Sequence, residues 1–401
     1  MIFNPTIDIL PLVFGCVALA AMLYCCFPAL NILRRTGLLR FSESSDGEEI
    51  AACEAPCPKV SVIVYAFTGE EGLAEYLEAL MAQDYPDFEV ILIYDAGVAA
   101  TAVITDRFTP LYPSLYITFI PPGSHNLSRR KLALTMGMKA AKGKVAVTTC
   151  ANSRIPSRQW LSGLVAPFVN DRNVEVSLGV SRFDFDELRG IGKWYKQFDD
   201  VMTTSQWVAS AMRRHAYRGD GYNLAFDREL FFSHKGYSKT INLENGDDDL
   251  FIREISNQEN TAVVVTPETM VTTLWDDAAN RMWKERKERY DFTSRWLPKG
   301  PFIAAGLASL MRWVALGASA AAIILSLPNL FVTAIIAPLL VATALVEISV
   351  YRKAATALGA IRLWWAVPLF MLWRPVGNFL FRISRYSHRK KNFTWQRTRK
   401  K

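Results

Sequence analysis

Three observations predict an α/β protein whose mostly parallel sheet lies between membrane segments. The first is a repeat of β-branched runs and helical periodicity between residues 59 and 150, the βαβ pattern of a parallel sheet. The second is the uneven apolarity of a 401-residue chain that is 51% hydrophobic, concentrated at residues 9–33 and again beyond 302. The third is the mixed composition of residues 58–300, a stretch long enough to bury a substantial core.

The run Ile9 to Leu33 holds no charged residue and is long enough to cross a bilayer. Only Asp8 precedes it as a charge, while Arg34, Arg35 and Arg40 follow, so residues 1–40 read as a retained anchor rather than a cleaved leader. The positive-inside rule puts those arginines, and the domain after them, in the cytoplasm. Residues 41–58 have the Ser, Glu, Asp, Gly and Pro content of a linker.

Val60-Ser61-Val62-Ile63-Val64-Tyr65 reads as a buried strand. Thr68 and Glu71 have capping-box spacing ahead of Leu73, Leu77 and Leu80, which recur at helical intervals. Val90 to Tyr94 gives a second strand ending at Asp95, and Leu115 to Ile120 a third. A helix over about Ser128 to Ala141 closes at Gly143, and Val145 to Cys150 is a fourth strand followed by Ala151-Asn152-Ser153. Ligands of a parallel sheet gather at the carboxyl ends of its strands, where Thr68, Asp95 and Asn152 stand. No glycine-rich phosphate loop follows the first strand, which excludes a dinucleotide fingerprint or a Walker loop. Arg129, Arg130 and Lys131 open the helix, where the macrodipole gives them nothing; they serve an anionic ligand or are simply solvated.

Between 158 and 300 the spacing predicts helices over Trp160–Phe168 and Lys193–Arg213, strands over Val174–Val180 and Thr261–Val265, and a turn-rich loop at Arg218-Gly219-Asp220-Gly221-Tyr222-Asn223. Asp247-Asp248-Asp249 then crowds three carboxylates together. Such crowding suits a site that takes a proton or holds a cation, and equally a helix N-cap. Trp283 to Tyr290 forms a basic helix.

Trp313 to Leu327 and Leu330 to Val350 predict a membrane hairpin within residues 301–353, with Arg312 at one end and Arg352 and Lys353 at the other. Residues 354–401 hold Leu363 to Phe381, aromatic-rich and interrupted by Pro368 and Pro375, then a basic tail. A third crossing there would carry the tail outward, so an amphipathic segment at the cytoplasmic interface is favoured. The net charge of +8 comes largely from that tail, which suits anionic lipid rather than nucleic acid. Cys16, Cys25 and Cys26 lie in the anchor and Cys53 and Cys57 in the linker, so reduced thiols are expected rather than a disulfide framework or a zinc site.

Ser61 to Glu71, with Leu80-Met81-Ala82-Gln83-Asp84-Tyr85-Pro86, resembles the start of family 2 glycosyltransferases of the GT-A fold, and the resemblance runs from about residue 58 to 295. The flanking segments resemble membrane-anchored bacterial members that build cell-envelope polysaccharide. The resemblance implies an inverting transfer of sugar from a nucleotide sugar to a lipid-linked or polysaccharide hydroxyl, by a multi-pass protein of the inner (plasma) membrane. It implies nucleotide-sugar contacts at Ala66, Phe67, Thr68, Asp95, Lys131 and Asn152. Asp247 or Asp248 matches the family's base, with Asp249 beside them. Arg286, Arg289 and Tyr290 resemble the Gln-x-x-Arg-Trp motif that meets diphosphate and acceptor, Arg286 replacing its Gln.

Three positions depart from the pattern: Tyr94 replaces the first of the paired aspartates, Gly69 a nucleotide-contacting Glu, and Cys150-Ala151-Asn152 the Asp-x-Asp that carries a cation. A hard cation prefers anionic oxygens, so Mn2+ or Mg2+ should bind weakly or not at all. The same departures support a second reading, a non-catalytic relative that binds a partner or glycan at the membrane.

Overall fold

In the computed structural model the described residues are 9–43, 57–66, 72–95, 98–120, 127–184, 190–273, 279–327, 331–360 and 363–387. Along the chain, α1 (Ile9–Glu43) precedes β1 (Val60–Ala66), α2 (Leu73–Met81), β2 (Phe88–Tyr94), α3 (Val98–Phe108), β3 (Leu115–Phe119), α4 (Arg129–Ala140) and β4 (Val145–Cys150). There follow β5 (Ser153–Arg154), α5 (Trp160–Asn170), β6 (Val176–Leu178), β7 (Ser181–Phe183), α6 (Ile191–Met212), β8 (Leu224–Asp227) and α7 (Arg228–Ser233). The remaining elements are α8 (Asp249–Ile255), β9 (Thr261–Val263), β10 (Val271–Thr273), α9 (Ala279–Thr293), α10 (Lys299–Leu325), α11 (Phe331–Ala357) and α12 (Val367–Ser387).

The chain forms two compact units. One comprises Leu39–Lys193 and Gln206–Leu297, and is built on a seven-stranded sheet of order β3-β2-β1-β4-β8-β6-β9. Strands β3, β2, β1 and β4 are parallel, with Val60 facing Phe88 on one side and Val145 on the other. Strand β8 runs antiparallel to both β4 and β6. Every residue of β1 is buried, as a strand covered on both faces requires, and this is why it reads as an unbroken apolar run. Its side chains join Leu73, Leu77, Leu80, Trp160, Leu161 and Leu164 in one core.

A second sheet, β5-β10-β7, was not expected; its strands have only two or three residues each and leave no periodic trace. Asn223 ties the region together: its amide donates to the carbonyls of Val180 (2.9 Å) and Thr269 (2.7 Å), and its oxygen accepts from Trp160 Nε1 (3.0 Å). Three of its four hydrogen-bonding positions are filled within a fully buried site, so the side chain fixes the loop before β8.

Two expectations are corrected here. Helix α2 starts at Leu73 behind Gly72, whose φ of 77° places the left-handed turn there. The capping pair Thr68 and Glu71 lies outside the described residues. Cys57 is disulfide-bonded rather than reduced, and its partner lies outside the described residues.

The other unit comprises Met1–Leu38, Trp194–Ser205 and Pro298–Lys391. Among the described residues three helical stretches are long and apolar enough to cross a membrane, Ile9–Phe27, Lys299–Leu325 and Phe331–Ala357. Ala18, Ala21 and Met22 pack with Ala315, Ala318 and Ile336, small residues that let helices approach closely. Arg312 is not at a helix end: it lies midway along α10, where its guanidinium pairs with Glu347 of α11. Helix α12 docks on the Trp194–Ser205 stretch of α6, where Arg374 donates to Asp199 (2.8 Å) and Thr203 (2.9 Å) and Phe370 meets Tyr195 and Phe198.

The turn after α4 sets the first test. A Cβ on Gly143 would lie 2.6 Å from the Ser61 nitrogen and 2.8 Å from the Lys59 carbonyl oxygen, contacts with backbone that cannot move aside. Gly143→Ala should therefore destabilise the fold by about 1–3 kcal/mol, as overpacking does, read as a lower denaturation midpoint of the detergent-solubilised chain. An unchanged midpoint would show that the β1–β4 edge yields.

Candidate active site

The cations at the start of α4 all have partners in the domain, with Arg129 still partly exposed. Arg129 donates through Nε to both oxygens of Asp95 (3.0 and 2.9 Å), which also accepts from the Tyr65 hydroxyl (2.9 Å). Arg130 brings Nε to 2.6 Å from Asp247 Oδ2, donates Nη2 to the Gly221 carbonyl (2.8 Å), and stands 4.6 Å from the Tyr222 ring. Lys131 is fully buried and donates to the carbonyls of Thr240 (2.7 Å), Leu243 (3.2 Å) and Asn245 (2.9 Å). Burial pulls its pKa down to about 8. Ser128 adds a backbone bond to the Ile241 carbonyl (2.8 Å) and a hydroxyl bond to that of Glu244 (3.1 Å). The first turn of α4 thus pins the segment that leads into the aspartates.

Asp247, Asp248 and Asp249 are all buried, and each has its own cation. Asp247 lies between Arg130 and Arg289, whose Nη2 is 3.4 Å away. Burial pushes its carboxyl up, but Arg130, Arg289 and Lys131 together outweigh that and hold it below the usual range. Asp248 accepts from the Asp249 amide with one oxygen (2.8 Å), capping α8, and from Arg289 Nη2 with the other (2.8 Å). The cap reading and the charge-site reading of this residue are both realised, by different oxygens. Asp249 is fully buried, accepts from the Thr293 hydroxyl (2.6 Å), and faces Arg218 Nε at 3.4 Å. Its burial outweighs Arg218 and pushes its pKa up to about 7.

Helix α9 supplies one face of this cluster. Arg289 reaches the aspartates, and Tyr290 lies under Arg218, with 3.6 Å from guanidinium carbon to ring centre. Arg286 turns elsewhere: it donates to the Ser181 hydroxyl (2.7 Å), stands 3.7 Å from Asp220 and stacks 3.8 Å over the Phe183 ring. The structure therefore joins Asp247, Asp248, Arg130, Lys131 and Arg289, and commits Arg286 to a neighbouring brace.

At the strand ends, the Ala66 carbonyl accepts from the Asp95 amide (2.8 Å), while Phe67 and Thr68 lie outside the described residues. Cys150 gives its thiol to the Tyr65 carbonyl (3.1 Å). Burial pushes that thiol up while the guanidiniums of Arg130 and Arg289, which pair with the carboxylate cluster, oppose it. Both polar atoms of the Asn152 side chain are buried and have no hydrogen-bond partner among the described residues. This donor set does not fit a divalent cation, because the thiol is spent on a carbonyl and the amide is neutral. Among the described residues no group of three or more His, Cys, Asp or Glu is placed to hold a metal ion.

Sequence reasoning missed Arg218, Asp220 and Thr293; residues 218–223 are the turn-rich loop it expected, but a buried one. Arg218, Asp220 and Asn223 are buried, and a Cβ on Gly221 would stand 3.0 Å from both Arg130 Nη2 and Asp247 Oδ2. The available signal was the pair of glycines around Asp220, which lets backbone approach charged side chains.

Asp249 gives this site a pH signature. Its pKa rises from an ordinary 3.8 to about 7 on folding, so across that interval the folded chain keeps a proton that the unfolded chain releases. The group therefore stabilises the fold at acid pH, and that contribution is lost as pH rises toward neutrality. Asp249→Asn should remove this slope, so that the variant's melting temperature rises relative to the native chain's between pH about 5 and about 7.5. A constant difference across that interval would contradict the assignment.

Residues 61–227 match the family model Glycosyl transferase family 2. A search of curated proteins finds no match. Among solved structures the chain is similar to the mannosyltransferase PcManGT from Pyrobaculum calidifontis in complex with GDP-Man and Mn2+, at 20% identity and TM-score 0.49, over 91% of this chain and 99% of that one. It is also similar to S. aureus TarS 1-349, at 15% identity and TM-score 0.40, over 82% of this chain and 91% of that one. On the family match, which runs from β1 to the end of β8, and on the architecture of its sheet, the chain carries a family 2 glycosyltransferase domain of the GT-A fold and is by that domain a transferase.

Proposed function

We propose that the chain is an inverting glycosyltransferase that moves a sugar from a nucleotide-sugar donor to a membrane-associated acceptor hydroxyl, either a lipid-linked sugar or a polysaccharide end. The observation that carries this reading is the meeting of Asp247 and Asp248 with Arg130 and Arg289 beside the end of β4. Transfer needs a base for the acceptor proton and positive charge for the leaving diphosphate, and this cluster holds both.

Asp248 is the base in this reading. Asp247 is clamped between two guanidiniums, whereas Asp248 meets only Arg289. As the acceptor oxygen bonds to the anomeric carbon, its proton passes to Asp248. The bond from that carbon to the donor phosphate breaks on the opposite face, and its electron pair leaves with the nucleoside diphosphate. Arg289 and Arg130 receive the developing negative charge through forked donors suited to phosphate. Asn152, with its unpartnered amide, is free to bond the donor. Asp95 remains a nucleoside contact in this reading, held by Arg129 and Tyr65, and Lys131 acts by fixing the loop before Asp247.

The domain is cytoplasmic and the protein multi-pass in the plasma membrane. The three apolar helices and Arg34, Arg35 and Arg40 support that placement. Trp364, Trp365, Leu369, Trp373 and Phe379 are exposed around α12 while Arg374 is turned inward, which supports an interfacial helix near a lipid-borne acceptor.

The test is release of nucleoside diphosphate from a panel of nucleotide sugars by the full chain with native membrane extract, in manganese and in chelator. Turnover is expected in both. Absence of donor binding and turnover throughout defeats the enzymatic reading, and turnover only in manganese defeats the metal-independent part. Asp248→Asn should lower kcat by about 100-fold or more while donor binding persists. A fall of that size in Asp247→Asn alone would move the base to Asp247.

A further inference from the structure

Arg289 of α9 meets both Asp247 and Asp248, and its position along the helix axis decides whether it faces them. Residues four apart on a helix lie on one face, so Thr293 stands directly above Arg289. Its partner, Asp249, follows Arg289's partner, Asp248, by one residue. Two parallel bonds therefore join α9 to the start of α8: Arg289 Nη2 to Asp248 Oδ2 at 2.8 Å, and Thr293 Oγ1 to Asp249 Oδ2 at 2.6 Å. The second bond is shut off from water, since Thr293 is 1% and Asp249 0% exposed. Arg218 completes it from the loop before β8, facing Asp249 with Nε, donating to the Tyr290 carbonyl (3.4 Å) and stacking on the Tyr290 ring.

A carboxylate so enclosed has no route to an acceptor hydroxyl. We infer that Asp249 and Thr293 form a positioning rung that fixes the register of α9, and that through this register they set Arg289 against Asp248 and the donor diphosphate. Asp249 is then a positioning residue and not a catalytic one. This rests on the reading of Arg289 as a diphosphate ligand. Losing the Thr293 hydroxyl leaves the Asp249 oxygen buried without its donor, and the helix relaxes at the turn that carries Arg289.

The experiment is a double-mutant cycle on the full chain in detergent or nanodiscs, with UDP and GDP as probes and affinity measured by calorimetry. Thr293→Val should weaken binding of the preferred diphosphate by about tenfold, and Thr293→Ser should restore it. In an Arg289→Ala background, Thr293→Val should cost nothing further, because the residue it positions is gone. A rung that merely supports the fold would give independent losses that multiply in the double variant, and that result overturns the inference. So does wild-type affinity in Thr293→Val. If Arg289→Ala alone leaves diphosphate binding intact, the assignment of Arg289 fails first and the rung's function falls with it. A multiplying double variant on top of a damaging Arg289→Ala loses the rung alone. Should Thr293→Val not fold, Thr293→Ala, which removes the hydroxyl without adding bulk, serves in the same cycle.

Discussion

Three consecutive carboxylates buried together are the constraint on which the rest of this domain depends. Like charges so close in a weakly polar interior cannot stay ionised without cations beside them. The chain supplies an arginine from a different segment to each: Arg130 from α4, Arg289 from α9, and Arg218 from the loop before β8. One turn of chain thereby fixes the relation of four segments far apart in sequence. The surrounding polar contacts follow from it. Lys131 and Ser128 hold the preceding loop by its carbonyls, and Asn223 holds the loop that carries Arg218.

The charge count around the outer two carboxylates gives the site its chemical character. Arg130, Lys131 and Arg289 face Asp247 and Asp248, which leaves one unbalanced positive charge, while Asp249 and Arg218 form a pair apart. A cluster with excess positive charge and forked donors favours an anion over a free metal ion. The neutral Asn152 and the buried thiol of Cys150 push the same way. On the proposed reading, the guanidiniums take the place of a cation bridged by two aspartates; the carboxylates hold those guanidiniums in position.

The parts of the fold that read directly from the sequence are those whose burial is complete. Strands β1, β2 and β4 are covered on both faces, so their residues had to be apolar and β-branched, and the pattern is unambiguous. The short strands β5, β7 and β10 escaped notice because two or three residues carry no period. Arg129 to Lys131 was ambiguous for a deeper reason. A cation's partner in this domain comes from up to 117 residues away, as Arg130 and Asp247 illustrate, and neither spacing nor propensity registers that distance. Loop 218–223 reads correctly as turn-rich, but its burial does not show, because glycine and charge together carry no sign of backbone passing between charged side chains.

The helical unit also holds a charge inside by pairing it. Arg312 was taken as a boundary marker because an arginine inside an apolar run is costly. Helix α10 instead begins at Lys299 and carries Arg312 in its middle, where Glu347 neutralises it. The charge is tolerated because the pair enters the apolar environment as a unit, with Glu347 only 6% exposed. On the proposed topology, Lys299 at the start of α10 and Arg352 and Lys353 near the end of α11 are the charges that flank the two apolar helices.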